Sequence, residues 1–208
     1  MKTRKLAVEG ALEFTPQIYR DHRGLFLSPY QEATFLTAHH KPLFPVAQTN
    51  HSESHRGVVR GIHYTLTPPG TAKYVYCPRG EALDIVIDIR VGSPTFGQWD
   101  AVLLDQQHYR TMYFPIGVGH AFIALTDNTV MSYMLSSTYV PHHELALSAL
   151  DPALALPIPH DIQPILSHRD QIAPTLAQAA AAGTLPNYHQ CQITEQQLHQ
   201  NHHLTHTT

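Results

Sequence analysis

The fold is decided by residues 72–94, Ala72-Lys-Tyr-Val-Tyr-Cys-Pro-Arg-Gly-Glu-Ala-Leu-Asp-Ile-Val-Ile-Asp-Ile-Arg-Val-Gly-Ser-Pro94. Two runs rich in apolar, β-branched and aromatic residues, Ala72–Cys77 and Ala82–Arg90, are each cut off by a turn signal, Pro78-Arg79-Gly80 and Val91-Gly92-Ser93-Pro94. Val, Ile and Tyr suit a pleated, half-buried surface, and Pro and Gly interrupt it. The same rhythm extends outward on both sides. Gly57–Thr65 comes before, ended by Pro68-Pro69-Gly70. Gln98–Leu104, Arg110–Phe114, His120–Leu125 and Thr129–Leu135 come after, with turns at Gly117, Gly119 and Thr126-Asp127-Asn128. Short strands so punctuated predict an all-β sandwich or barrel. Strand and helix patterns do not alternate, which argues against a parallel α/β sheet. Residues 1–15 alternate weakly and predict an edge strand; Tyr19-Arg-Asp-His-Arg-Gly24 reads as a turn. Gln31–His40 predicts a short helix, and Ala173–Ala182 a clearer one, stopped by Gly183 and Pro186. The expected organisation is one domain over residues 1–186, ending in that helical region, with a polar His/Gln/Thr-rich tail over 187–208.

The 208 residues suffice for one core. A net charge of -3 with neutral His removes the basic footprint that a nucleic-acid partner requires. No run of 18 apolar residues occurs, so no membrane partner is expected, and Glu9 and Glu13 interrupt any secretory core. Two cysteines, Cys77 and Cys191, make no disulfide framework, and the expected location is cytoplasmic. The unusual feature is 17 histidines, which make the surface charge depend on pH near 6.5. His189, His199, His202, His203 and His206 crowd the tail. A metal-binding tail is one reading of them; a poorly ordered terminus is the more ordinary one.

Several side chains stand out against this apolar background. Arg60 and His63 are three apart, so in a regular strand they face opposite sides. For both to serve one pocket the strand must bulge, and Gly61 is where a bulge is cheap; otherwise Arg60 faces water and His63 is a core histidine. Lys73 shares a face with Val75 and Cys77, so it either lines a cavity or snorkels to water from the strand end. Tyr133 shares a face with Met131 and Leu135, and a buried phenol needs a partner whether it is a core residue or a proton donor. Pro115-Ile-Gly-Val-Gly-His120 has the Pro-x-Gly-x-x-His spacing of the second cupin motif. Metal cupins place His-x-His and a Glu in the first motif. Here the corresponding stretch is His63-Tyr64-Thr65, and no Glu occurs from Tyr64 to Arg79. Two ligands are too few for a closed metal site, so the expectation is a cupin-type jelly-roll barrel with no metal.

From about Leu6 to Gln192 the chain resembles the dTDP-4-dehydrorhamnose 3,5-epimerase family. The matching stretches are Asp21-His-Arg-Gly24, Gln48-Thr-Asn-His-Ser52, Arg60-Gly-Ile-His-Tyr64, Ala72-Lys73, Gly92 to Gly97, Pro115 to His120, Pro141-His-His-Glu144, Asp151-Pro152 and Pro164 to Asp170. Pro68 to Tyr76 is similar to the antibiotic deoxysugar branch of epivancosamine type. The resemblance implies an isomerase that works without a cofactor on a dTDP-linked 4-keto-6-deoxy sugar, inverting C3, C5 or both. It implies that His63 is the base and Asp170 its paired carboxylate, that Lys73 sits by the 4-keto oxygen, and that Tyr133 is the acid on the opposite face. It further implies that Arg60 and His120 hold the diphosphate or sugar. Arg23, Gln48, Asn50 and Glu144 would hold the nucleotide, Tyr139 would stack on thymine, and Arg169 would keep the cation that precedes the paired Asp. A homodimer with strands crossing between subunits is also implied. The chain departs from the family at Ser28, Thr138, Leu145 and Ala149, which stand where Glu, Tyr, Arg and Trp are usual. The rival reading with the same barrel and nucleotide is a sugar 3,4-ketoisomerase.

Overall fold

Among the described residues there are thirteen short strands, most of them formed where apolar residues alternate or cluster between Gly, Pro and Asn breaks. The computed structural model describes residues 1–205, with side chains through Leu198. In chain order the elements are β1 (Lys2–Lys5), β2 (Leu12–Thr15), β3 (Ile18–Asp21), β4 (Gly24–Leu27), α1 (Glu32–His39), β5 (Gln48–Ser54), β6 (Val59–Thr65) and β7 (Lys73–Arg79). They continue as β8 (Glu81–Ile87), β9 (Trp99–Asp105), β10 (Thr111–Phe114), β11 (Gly119–Ala124), β12 (Thr129–Leu135), β13 (Glu144–Ala146), α2 (His168–Gln171), α3 (Leu176–Ala181) and α4 (Tyr188–Thr205). A six-stranded sheet runs β1-β2-β10-β7-β12-β5 and a five-stranded sheet runs β13-β6-β11-β8-β9. β3 and β4 form a separate hairpin. This is the expected all-β jelly roll.

The alternation of strand side chains builds three packed layers. Val75, Met112 and Met131 of the larger sheet meet Val86, Leu104 and Phe122 of the smaller one, and this inner core fills one end of the sandwich. On the outer side of the smaller sheet, Ile62, Tyr64, Ile85 and Ile123 are covered by residues from Leu147 to Leu185. On the outer side of the larger sheet, Tyr74, Tyr113 and Phe14 are covered by Phe35 of α1 and by Cys191 of α4. Burying a side chain such as Phe35 contributes about 1.5–3 kcal/mol, which holds α1 although Gln31 offers no side-chain cap.

Four expectations are corrected. The edge strand expected over 1–15 is a pair, β1 and β2, because Leu6–Ala11 turns the chain back. The strand expected to stop at Pro78 runs on to Arg79: between Val130 and Ser132 of β12 the register slips, and the proline, which cannot donate, falls in that irregularity. The clear helix is shorter than its Ala-rich pattern, beginning only after Thr175, whose hydroxyl caps Gln178 N. The tail read as a poorly ordered terminus is helical from Tyr188. Asn187 caps it by accepting from Gln190 N, and Cys191 and Leu198, seven apart, pack into the outer layer. His189 is exposed; His199, His202, His203 and His206 lie outside the described side chains. Among the described residues no helix is long and apolar enough to cross a membrane.

Candidate active site

The end of the sandwich not filled by the inner core is a cavity of about 500 Å³. Its walls include Asn50, Arg60, His63, Lys73, His120, Tyr133, Tyr139, Glu144 and Arg169. His63 and His120 come from the five-stranded sheet; Lys73 and Tyr133 come from the six-stranded sheet and face them.

Of the two readings left open for Arg60 and His63, the structure has the bulged one. His63 pairs with His120 and Arg60 with Phe122, so three steps along β6 match two along β11. The extra residue puts Arg60 and His63 on one face. Gly61 makes this possible: its φ is +118°, and a Cβ there would lie 2.4 Å from the His120 carbonyl oxygen. Arg60 is held by donating Nε to Ser54 Oγ at 3.1 Å and Nη2 to the Glu53 carbonyl at 3.2 Å.

His63 Nε2 lies 2.7 Å from Asp170 Oδ1. Ser167 supports the carboxylate, donating Oγ to Asp170 Oδ2 at 2.8 Å, and caps α2 by accepting from Asp170 N. A carboxylate accepts, so the proton sits on Nε2 and leaves Nδ1 as the basic nitrogen. Burial pushes the His63 imidazole below its ordinary range, against the pull of Asp170; Arg169 and Lys73 add to the depression. Burial by itself would raise Asp170, but the bond and charge of His63, with Ser167 and Arg169, outweigh it and hold the carboxyl low. The ring is therefore neutral near pH 7, as a base must be.

Burial pushes the Lys73 ammonium down, opposed by Glu144 and Asp84. Among the described residues the Lys73 ammonium makes no hydrogen bond or ion pair, so its donors are available to the cavity. Burial pushes the Tyr133 phenol well above its usual range despite the Ser52 hydroxyl, 3.4 Å from its oxygen, so the phenol keeps its proton. Its ring meets His120 edge-on at 5.9 Å.

The remaining sequence candidates fall into place around this centre, with one exception. Gln48 sits behind the wall, donating to Asn50 Oδ1 at 2.6 Å and accepting from Tyr139 N at 2.8 Å, so it orients both. Glu144 Oε1 accepts from Thr65 Oγ1 at 2.9 Å. Arg169 Nε lies 3.8 Å from Asp170 Oδ1. Thr138, where the family usually has Tyr, lines the cavity. The exception is Arg23. It stands on the β3–β4 hairpin, paired with Asp21 at 2.6 Å, and is not on the cavity wall of its own chain.

Sequence reasoning missed Asp84, whose Oδ1 lies 2.7 Å from His120 Nε2. Its signal was a carboxylate between Leu83 and Ile85 in an otherwise apolar strand, which is costly unless something inside answers it. It also missed Ser52 and Thr65. Among the described residues no three His, Cys, Asp or Glu side chains are grouped to hold a metal ion, and the Nε2 atoms of His63 and His120 are already committed to carboxylates.

A neutral imidazole on one wall and a protonated phenol on the other can take a proton from one face of a bound molecule and return one to the opposite face. That arrangement, in a jelly-roll frame, defines an acid–base isomerase of the epimerase type. The model of the family described as dTDP-4-dehydrorhamnose 3,5-epimerase matches residues 5–178, and the chain belongs to that family. It is 46% identical to the dTDP-4-dehydrorhamnose 3,5-epimerase of Mycolicibacterium smegmatis, over 97% of this chain and 98% of that one. Among solved structures it is similar to ChmJ, a 3'-monoepimerase from Streptomyces bikiniensis in complex with dTDP-quinovose, at 46% identity and a TM-score of 0.89, covering 93% of this chain and 98% of that one. It is also similar to NovW, a 4-keto-6-deoxy sugar epimerase from the novobiocin biosynthetic gene cluster of Streptomyces spheroides, at 47% identity and a TM-score of 0.88, covering 92% and 95%.

Proposed function

We propose that this protein epimerises a dTDP-linked 4-keto-6-deoxy sugar at C3, C5 or both, in the making of a deoxysugar of the kind found in antibiotics. The observation that carries the reading is the placement of His63 and Tyr133 on facing sheets of one cavity. Protons at C3 and C5 are acidic because the C4 ketone can take up the charge of the enolate. His63 Nδ1 removes the proton, and Asp170 stabilises the imidazolium that results. Lys73 meets the charge growing on O4; a preorganised donor of this kind is typically worth about 3–4 kcal/mol. Tyr133 delivers a proton to the opposite face, which inverts the carbon. Arg60 binds the diphosphate, since a guanidinium fits phosphate geometry, and His120 holds the sugar or the diphosphate. Asn50, Glu144 and Arg169 hold the nucleotide end, with Gln48 behind them and Tyr139 stacked on thymine.

The protein acts as a homodimer in this reading. The β3–β4 hairpin exposes Tyr19 and Phe26 at 63% and 69%, and it carries Arg23 away from its own cavity. Seating that hairpin on a second copy covers the apolar rings and offers Arg23 to the partner's nucleotide. A cytoplasmic location fits two free, buried cysteines.

Incubation with a dTDP-4-keto-6-deoxyhexose in D2O tests the reaction by NMR. Deuterium is expected at C3, C5 or both, with the ketone still at C4. A ketone that moves to C3 means a 3,4-ketoisomerase instead.

A further inference from the structure

Asp84 is the buried charge that the reaction above leaves without a role. It lies on β8 with no exposed surface, behind His120 rather than on the cavity wall. Its Oδ1 is bonded to His120 Nε2, while Oδ2, equally enclosed, has no hydrogen-bond partner among the described residues. A carboxylate in that position is costly unless positive charge answers it. The titratable groups facing it are His120 from β11, Lys73 and Cys77 from β7, and Tyr133 from β12. Only Lys73 among these is ordinarily a cation at neutral pH and above.

Lys73 has the converse difficulty. An ammonium on an apolar strand face loses hydration, and Arg169 beside it is a like charge. The carboxylates that attract it are Glu144 from β13 and Asp84 from β8; His63 from β6 also faces it. Glu144 stands on the cavity wall, where its field changes with whatever fills the cavity. Asp84 is walled off from water, so salt screens its attraction much less.

We propose that Asp84 is a positioning residue for the epimerisation, the buried counter-charge that keeps Lys73 an ammonium while holding the His120 ring toward the cavity. The inference rests on the reading of Lys73 as the group that meets O4, because a neutral amine there stabilises an enolate far less than an ammonium does.

The test is the pH profile of deuterium wash-in for the unaltered enzyme and for Asp84→Asn, which keeps the side-chain volume. Without the carboxylate, Lys73 is expected to lose its proton at lower pH. The alkaline limb should move down by about one unit or more, a roughly tenfold loss on that limb, while the acid limb set by His63 stays. A rate lowered equally at every pH, with both limbs in place, overturns the proposal and leaves Asp84 a merely structural residue. Infrared spectra of the unaltered protein labelled with ¹³C-aspartate decide the matter without activity and without the variant. Among the described residues Asp84 is the aspartate whose carboxyl is held above its usual range, by burial that its partners do not offset, so a protonated aspartic carboxyl band at pH 7 overturns the counter-charge, and its absence supports it. Failure of the unaltered enzyme to exchange any proton would instead remove the epimerase reading, and the infrared band would still judge Asp84.

Discussion

His63 and Asp170 are 107 residues apart and 2.7 Å apart, joined through Nε2, which leaves Nδ1 as the basic nitrogen. The pair works as a base only while the ring is neutral. Burial lowers the folded-state pKa of His63 below its ordinary 6.5. The neutral form is therefore still the major one at pH 6.5. We expect the acid limb of kcat/KM for proton exchange to have its midpoint below pH 6.5. Asp170→Asn removes the acceptor that fixes the tautomer, and a drop of roughly 10²- to 10⁴-fold in kcat is expected. An acid limb with its midpoint above pH 6.5 would contradict the assignment of His63.

Tyr133 and His63 line one cavity from different sheets, so removing one should not silence the other. Tyr133→Phe keeps the ring and loses the proton. The expected result is continued deuterium wash-in next to the ketone, returned on the original face, with inversion reduced by roughly 10²-fold or more. Parallel measurement of exchange and of product stereochemistry checks it. Equal loss of both signals would mean that the phenol supports binding and not delivery.

Lys73 should separate binding from chemistry. Lys73→Met keeps the apolar stem and removes the charge. A fall of roughly 10²- to 10³-fold in kcat is expected, the scale for loss of one preorganised donor, while binding of dTDP changes little. Steady-state kinetics and calorimetry with dTDP together check it. A large loss of dTDP affinity would place Lys73 at the nucleotide instead.

Gly61 links fold to site. With φ at +118° and a Cβ position 2.4 Å from the His120 carbonyl, Gly61→Ala must shift β6 against β11. A loss of about 1–3 kcal/mol is expected on denaturant unfolding, the scale of a strained residue forced on the backbone. Activity of the folded fraction should fall as well, because Arg60 and His63 share a face only through this bulge. Unchanged stability would show that the strand absorbs the methyl group.

The strands from β6 to β12 were legible because Gly, Pro or Asn bounds most of them, and period-two patterning put Lys73 on a face with Val75 and Cys77 and Tyr133 on a face with Met131 and Leu135. Three-residue spacing showed only that Arg60 and His63 could share a pocket if the strand bulged at Gly61; whether it does was not legible. The partnership of His63 with Asp170 was not, since no local pattern joins positions so far apart; family resemblance supplied it. Asp84 escaped because its neighbours read only as an apolar strand. The helix from Tyr188 escaped because Gln and His dominate its composition, and its anchors Cys191 and Leu198 are too sparse to stand out. Position-specific contacts decided these cases, and single-sequence periodicity carries little of that information.

Arg23 offers a test of the proposed homodimer. In its own chain the guanidinium pairs with Asp21 on an exposed hairpin, apart from the cavity that holds His63. If the hairpin serves the partner, Arg23→Ala should weaken substrate binding, and His63→Ala should abolish exchange. In a hybrid dimer of the two variants, the subunit that keeps His63 receives Arg23 from its partner and regains a complete site. Co-refolding the two variants should therefore restore exchange in proportion to the hybrid formed. Without crossing, each subunit of the hybrid lacks one group, and the mixture stays as slow as the better parent. Activity that fails to rise while chromatography shows hybrid dimers would assign Arg23 to a surface role.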